Sequence, residues 1–373
     1  MTPSDLRGAM AGRPVFVTGH TGFMGSWLAL WLQTIGARVT GYALPPPTEP
    51  SHFVAAGIGQ LLAEHHEADV RDAARMAAAV RAARPDAVIH LAAQPLVRES
   101  YRDPRTTFEV NVQGTVNLLD AVRLAGRPAA VIVITSDKCY ENREQVWGYR
   151  EADPIGGHDP YSASKGAAEI VAASYRRSFF APARLAEHGV QLATVRAGNV
   201  IGGGDWARDR IVPDLARRLA SGEAVPVRSP RAVRPWQHVL EPLSGCLALA
   251  AKMLTAADAA WAGGWNFGPR TGDEATVAEL ASRFCTAWGS GRWTDASDPR
   301  APHEAVVLRL CIDKAMIELG WRPRWNIDMT VARTAAWYKR YYAGPASSMR
   351  ESSLDDIREY QRAAGEAPGA AHP

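Results

Sequence analysis

Three observations predict an α/β fold, a doubly wound parallel sheet of the Rossmann type followed by a smaller C-terminal α/β domain. Short apolar runs such as Ala129-Ala-Val-Ile-Val-Ile134 are continuous rather than alternating, as strands are when helices cover both faces of their sheet. These runs take turns with stretches of helical apolar spacing, the pattern of strand–helix–strand units. The first run, Pro14-Val-Phe-Val-Thr18, breaks into a glycine turn at the start of a helix.

At 373 residues and 47% hydrophobic content the chain can bury a large core, and its length suggests about two domains. A net charge of +3 gives no field that implies nucleic acid or a membrane as partner. No run approaches the roughly 18 apolar residues of a membrane span, and Met1-Thr-Pro-Ser-Asp-Leu-Arg7 lacks the apolar region of a signal peptide; the expected location is cytoplasmic. Cys139, Cys246, Cys285 and Cys311 lie far apart without C-x-x-C spacing, and the histidines form no ligand set, so buried thiols, no disulfide and no metal are expected. Of 42 basic residues, 37 are Arg and five are Lys. Lys138 and Lys165 escape that bias, which points to a task that an always-protonated guanidinium cannot perform.

In chain order, the glycine turn is Gly19-His-Thr21-Gly22-Phe23-Met24-Gly25, and Ser26 to Ile35 follows with helical spacing before Gly36. Gly19 allows the tight turn, Gly22 lets backbone approach a pyrophosphate, and Gly25 lets helix and strand pack closely, with free N–H groups at the helix start facing the anion. This is a dinucleotide site by composition and context. Arg38-Val-Thr-Gly-Tyr-Ala43 is the next strand, and its end should meet the adenosine ribose. It carries no acid for a 2′-hydroxyl, and the Pro-rich Leu44 to Pro50 offers no Arg for a 2′-phosphate, so residues alone leave NAD and NADP open. Asp69 and Val70 fall in a turn beside the expected adenine, ahead of a helix over about 72–83. Asp86 to Gln94 is a further strand whose end, Leu91-Ala92-Ala93-Gln94, is small enough to leave room for a ligand. Asn111 opens a helix with Val116, Leu119, Ala121 and Val122 on its apolar face, and is either an ordinary polar residue there or part of the site.

The buried-type strand 129–134 delivers Thr135-Ser136-Asp137-Lys138 to the carboxyl edge of the sheet, where such sheets bind ligands. Further on, Tyr161-Ser-Ala-Ser-Lys165 puts a phenol and an amine one helical turn apart on one face. An ammonium there is expected to lower the phenol pKa toward that of a working base. With ten tyrosines and five lysines in the chain, only about 0.13 such pairs are expected by chance. Gln191 to Arg196 is another apolar strand, and the glycine-rich loop from Gly198 to Trp206 leaves the sheet after it.

At these residues the chain resembles the extended short-chain dehydrogenase/reductase family. More closely, Gly19-His-Thr-Gly-Phe23, Thr48-Glu-Pro-Ser51, Thr135 to Asn142, Arg196 to Trp206, Arg234 to Pro242 and Gly264-Trp-Asn-Phe-Gly268 resemble the CDP-glucose 4,6-dehydratases, over about residues 12–342. The resemblance implies NAD as cofactor, a nucleotide sugar (CDP-glucose above others) as substrate, and a homodimer formed through the helices bearing the Tyr-x-x-x-Lys pair. It implies that Tyr161 takes the C4 hydroxyl proton while Ser136 holds the oxygen, with Lys165 behind them. Asp137 would be the acid at C6; Lys138, which stands where wider dehydratases carry Glu, would be the base at C5, with a tyrosine or a water as the alternative. Gln94, Asn199, Arg208, Arg234 and His303 would meet the substrate. A 4-epimerase shares the fold, cofactor and tyrosine but needs no C5/C6 acid and base; a non-catalytic cofactor-binding relative is the other alternative.

The expected domains are 12–197 for the dinucleotide, with a contribution from about 233–262, then 198–232 and 263–342 for the substrate. A tail, 343–373, is expected to be partly disordered around one short helix, Ser353–Gln361. The Thr276-Val-Ala-Glu279 stretch predicts a capped helix, and Trp288, Trp293, Trp321, Trp325 and Trp337 are read as core or domain seam. Met24 stands where the near relatives often carry Lys, which removes a positive charge beside the pyrophosphate. The protein should therefore lose its dinucleotide on extensive dialysis and need it added back, and full occupancy after dialysis would contradict this reading.

Overall fold

The computed structural model describes residues 2–256, 258–297, 307–344 and 349–363. Seven strands, β1 Pro14–Thr18, β2 Arg38–Ala43, β3 Glu64–Glu67, β4 Ala87–His90, β5 Ala129–Ile134, β6 Val190–Ala197 and β7 Gly263–Phe267, form one sheet in the order β7-β6-β5-β4-β1-β2-β3. Every pairing in it is parallel. The strand order reverses between β1 and β4, which is where an open sheet of this kind forms its ligand crevice.

The principal helices are α1 Phe23–Thr34, α2 Ala73–Ala83, α3 Gly114–Ala125, α4 Pro160–Ser178, α5 Ile211–Ala220, α6 Leu240–Thr255, α7 Val277–Trp288, α8 Ile327–Ala343 and α9 Met349–Arg362. Alternate residues of the inner strands feed two separate cores. Val15 and Val17 pack with α1 and α6 on one face, whereas Phe16, Val88 and Val131 pack with Met76, Leu118 and Val122 on the other. Both faces of the sheet are dry, which is why the strands read as unbroken apolar runs. The capping box at Thr276 opens α7, Trp321, Trp325 and Trp337 are buried, and all four cysteines are free. No helix among the described residues is long and apolar enough to cross a membrane.

Several elements depart from the sequence reading. Strand β3 escaped it because Glu64-His-His-Glu67 is polar, as an edge strand with mostly exposed side chains can be. The helix expected from Asn111 begins at Pro104, capped by Asp103, and passes through a π-helical turn at Glu109–Gln113 before α3. The boundary read at 262 falls just before a sheet strand: Gly263–Phe267 pairs with β6 along its length, so the chain returns to the sheet before the second half resumes. The 343–373 stretch read as a tail contains α9, a longer helix than Ser353–Gln361, whose Met349, Ser353 and Tyr360 are fully buried. The rest of the stretch expected to be partly disordered, 345–348 and 364–373, lies outside the described residues.

Helix α9 is anchored by a buried acid on α6. Glu241 accepts from the Tyr360 hydroxyl at 2.6 Å and from the Arg324 and Trp325 amides at 2.9 and 2.7 Å. Burial raises its pKa to about 7, against those donors, which pull the other way. A carboxyl raised above its unfolded value stabilises the fold at low pH and loses that contribution as pH climbs through about 4.5 to 7. Stability measured by denaturant unfolding should therefore fall over that interval by roughly 3 kcal/mol on account of this group, and Glu241→Gln should flatten the slope. An unchanged slope in the variant would show that Glu241 is not the titrating group.

Candidate active site

One cavity of about 570 Å³ opens at the carboxyl ends of β1, β2, β4 and β5 and runs under the loops of the second half. Its first wall is the glycine turn. Gly19 has a φ of +72°, and a Cβ on it would lie 2.6 Å from the Ala92 amide nitrogen. A Cβ on Gly25 would lie 2.1 Å from the Gly19 carbonyl oxygen, so α1 starts as close to β1 as backbone permits. Gly22 caps α1 without any side-chain hydrogen bond, leaving its first N–H groups to an anion. Thr21, Phe23, Met24, Asp69, Val70, Leu91, Ala92 and Ala93 all line the same cavity. The Thr21 hydroxyl donates to the Leu44 carbonyl at 2.8 Å, and Arg71 grips Asp69 at 2.7 Å, a hydrogen bond that holds its carboxyl below the usual range.

The second wall is built where β5 ends. Ser136 caps a short 3₁₀ turn, Asp137–Cys139, accepting from the Lys138 amide at 3.2 Å. Its hydroxyl donates to Asp137 Oδ1 at 3.0 Å. Asp137 is wholly buried; its Oδ2 has no hydrogen-bond partner, and Lys138 Nζ lies 3.6 Å from Oδ1. Gly198, across from it on the strand-exit loop of β6, has to be glycine: a Cβ there would sit 1.9 Å from Asp137 Oδ2.

Tyr161 and Lys165 reach this wall from α4, which starts where Asp159 accepts from the Ser162 amide at 3.0 Å with Pro160 in the first turn. Asn111 fixes the helix from behind, donating to Ser164 at 2.8 Å and to the Gln94 carbonyl at 3.1 Å while accepting the Gln94 amide. The expected depression of the phenol pKa is not what the folded chain produces. Burial pushes Tyr161 up to about 12, and the neighbouring Ser136 hydroxyl and Arg210 only pull it part of the way back. Burial likewise brings Lys165 down to about 8, and its ammonium donates to the Ile134 carbonyl at 3.2 Å. In this dry environment desolvation is the largest influence on both groups.

The other expected substrate residues divide. Asn199 lines the cavity with a left-handed backbone, φ 43°, and a buried Oδ1 without a partner; Arg234 also lines it. Gln94 does not: its side chain is spent on Leu96 of its own loop and on Thr107 of the helix that starts at Pro104. Arg208 is exposed and off the cavity wall. Arg210 lines the cavity instead, held by Asp205 at 2.8 Å and close enough to Tyr161 to act on its charge. Sequence reasoning missed it because two arginines of one Arg-Asp-Arg run look alike; the left-handed Asp209 between them and the Asp205 carboxylate decide which faces inward. His303 lies outside the described residues.

Residues 16–334 match the model of the GDP-mannose 4,6 dehydratase family. The chain belongs to that family. It is 49% identical over 352 residues to a curated CDP-glucose 4,6-dehydratase of Salmonella typhimurium strain LT2, covering 94% of this chain and 97% of the relative. Among solved structures it resembles a dTDP-glucose 4,6-dehydratase from Streptomyces venezuelae with NAD and TYD bound, at a TM-score of 0.71 and 25% identity over 87% of this chain and 96% of that one. A UDP-glucose 4-epimerase of Thermus thermophilus in complex with NAD superposes equally well, at TM-score 0.71 and 26% identity, covering 87% of this chain and 98% of the other. The resemblance to extended short-chain dehydrogenases/reductases read from the motifs is thereby shown.

The two arginines can be told apart in solution. With CDP as a diphosphate probe, Arg210→Ala should weaken binding about tenfold or more by calorimetry, and Arg208→Ala by less than about twofold. Equal losses would remove the geometric distinction.

Proposed function

We propose that the protein is an NAD-dependent nucleotide-sugar 4,6-dehydratase, a lyase that converts CDP-glucose to CDP-4-keto-6-deoxyglucose. The observation that carries this reading is the placement of Asp137 and Lys138 beside Ser136 and Tyr161 in one cavity, since an epimerase has no use for a second acid–base pair. The relative that is 49% identical over nearly the whole chain supports CDP-glucose as the substrate. The glycine cradle and the uncapped start of α1 suit a dinucleotide pyrophosphate. NAD bound there would supply the oxidant for C4 and the hydride for C6, and its cationic ring would add the positive charge that a phenolate needs.

The chain's own residues then divide the proton work. Tyr161 takes the C4 hydroxyl proton and Ser136 donates to the same oxygen. Lys165, held on the Ile134 carbonyl, keeps a positive charge under the site. Once C4 is a ketone the C5 hydrogen is acidic; Lys138 takes it as a proton, and Asp137 gives a proton to the C6 hydroxyl, which leaves as water. After C6 has been reduced, Lys138 returns its proton to C5, and the C4 hydroxyl proton left on Tyr161 passes through the Ser136 hydroxyl, 3.0 Å from Asp137 Oδ1, to restore the acid. Asn199, Arg210 and Arg234 hold the diphosphate, and the wholly buried carboxyl keeps water from competing. Leu124, Ile170 and Phe179, large apolar side chains exposed on or beside α3 and α4, support a homodimer through those helices, and we place the enzyme in the cytoplasm.

Incubation with CDP-, dTDP-, UDP- and GDP-glucose plus NAD, read by mass spectrometry, should give loss of one water with CDP-glucose most readily. An unchanged mass with inverted C4 would instead establish the epimerase. Asp137→Asn should cut turnover of CDP-glucose by about two orders of magnitude or more while still allowing reduced nicotinamide to build up in a single turnover. Turnover left intact in that variant would sink the dehydratase reading.

A further inference from the structure

We propose that the C-terminal helix α9 is a clasp for the cofactor loop, with Ser353 and Arg350 as positioning residues that set the affinity for the dinucleotide. The inference rests on the NAD reading above and goes beyond it, because α9 follows the last residue, 334, matched by the family model.

The loop in question leaves β2 at Ala43, runs through Leu44, Pro45 and Thr48 along the cavity, and ends in the short helix His52–Ala55. It follows the end of β2, where a dinucleotide fold normally places an acid on the ribose, and no acid stands at that strand end. Its geometry comes from α9. Arg350 donates from Nε to the Ala56 carbonyl at 2.8 Å and from Nη2 to the Gly57 carbonyl at 2.7 Å, gripping the C-terminal end of that short helix. Ser353 lies 2.9 Å from His52 Nε2. The Ser353 hydroxyl spends its proton on the Met349 carbonyl and already accepts from Trp337 Nε1 at 3.0 Å, so it accepts from His52 as well. His52 then donates through Nε2, and its Nδ1 takes the hydrogen of Ser26 Oγ, 2.8 Å away in the first turn of α1, a hydroxyl that also reaches the Phe23 carbonyl at 2.9 Å. Trp27 of α1 stacks flat on the same imidazole, with centroids 4.6 Å apart and planes 4° from parallel.

His52 is thus a joint. It lines the cavity, holds the helix whose N-terminus faces the pyrophosphate site, and is itself held by α9. The substrate loop closes on it too, since a Cβ on Gly204 would lie 2.6 Å from His52 Cβ. Releasing α9 lets the loop sample arrangements that do not match the ligand, and affinity falls in proportion to the competent fraction.

Binding of NAD to the full chain, followed by fluorescence titration, tests this. Arg350→Ala and Ser353→Ala should each raise the NAD dissociation constant roughly fivefold or more, with CDP affinity changed by less than about twofold. Tyr360→Phe loosens the same helix at its other end, where the hydroxyl meets Glu241, and should lower the melting temperature while leaving the NAD constant within about twofold. Folded Arg350→Ala protein with wild-type NAD affinity overturns the clasp, as does a Tyr360→Phe protein weakened toward NAD as much as the other two. Wild-type protein that binds no NAD overturns the cofactor reading itself, and the clasp with it.

Discussion

The carboxyl end of the sheet depends on one buried ion pair. Glu169 and Arg196 are each about 5% exposed and meet in a bidentate contact, Nε to Oε1 and Nη2 to Oε2, both at 2.9 Å. Burial alone would raise the Glu169 carboxyl, but Arg196 with the Thr135 and Thr194 hydroxyls, at 2.5 and 2.7 Å, holds it below its ordinary value. Arg196 goes on to donate to Tyr140 at 2.6 Å and to the Glu151 carbonyl, and Tyr140 donates to Asn266 of β7. Removing one partner of such a pair leaves an uncompensated buried charge and costs about 3–5 kcal/mol. Replacing both by apolar residues can be nearly neutral for stability, so the pair is better understood through what it aligns.

What it aligns is the cavity wall that carries Ser136, Asp137, Tyr161 and Lys165. Glu169 sits one turn beyond Lys165 on α4, Thr135 immediately precedes Ser136, and Arg196 lies two residues before Gly198, whose missing Cβ leaves room for Asp137. Four groups from three elements are therefore referred to one dry cluster, with no dependence on solvent-exposed loops. The same dryness has a consequence for Tyr161 and Lys165. A phenol at about 12 and an ammonium at about 8 are both pushed toward neutrality, so the folded chain by itself does not make Tyr161 a base. A positive charge brought into the cavity by a ligand would lower the phenol from that value.

The elements legible in the sequence were those whose signal is local. Apolar runs marked β1, β2, β4, β5 and β6 because both faces of the sheet are buried; the glycine turn and the Tyr-x-x-x-Lys pair carry their chemistry in spacing alone. What escaped depends on distant partners. The polar β3 is a strand only because β2 offers it an edge. Gln94 looked like a ligand residue at the end of a strand, but Asn111 and Thr107, more than ten residues away, claim it. Arg208 and Arg210 have the same composition and near-identical neighbours, and the choice between them is made by the left-handed Asp209 that separates them and by Asp205. The π-turn at Asn111 belongs to the same class: an extra residue in a helix is dictated by the Ser164 and Gln94 contacts it serves.

Helix α9 is the clearest case. Its sequence, polar and rich in charge, reads as a surface segment, yet its buried residues are Met349, Ser352, Ser353, Asp356, Ile357 and Tyr360, half of them Ser or Asp. Polar groups survive burial only when partnered, and here the partners are spread over the whole chain: His52 from the cofactor loop, Glu241 from α6 and Trp337 from α8. Such a face cannot be recognised by hydrophobic periodicity, because part of its complement, His52, is written some three hundred residues earlier. It also binds more specifically than an apolar stripe would, since each hydroxyl must meet its own donor or acceptor. A segment that docks in this way has one position, which is the property required of an element that holds a binding loop in place.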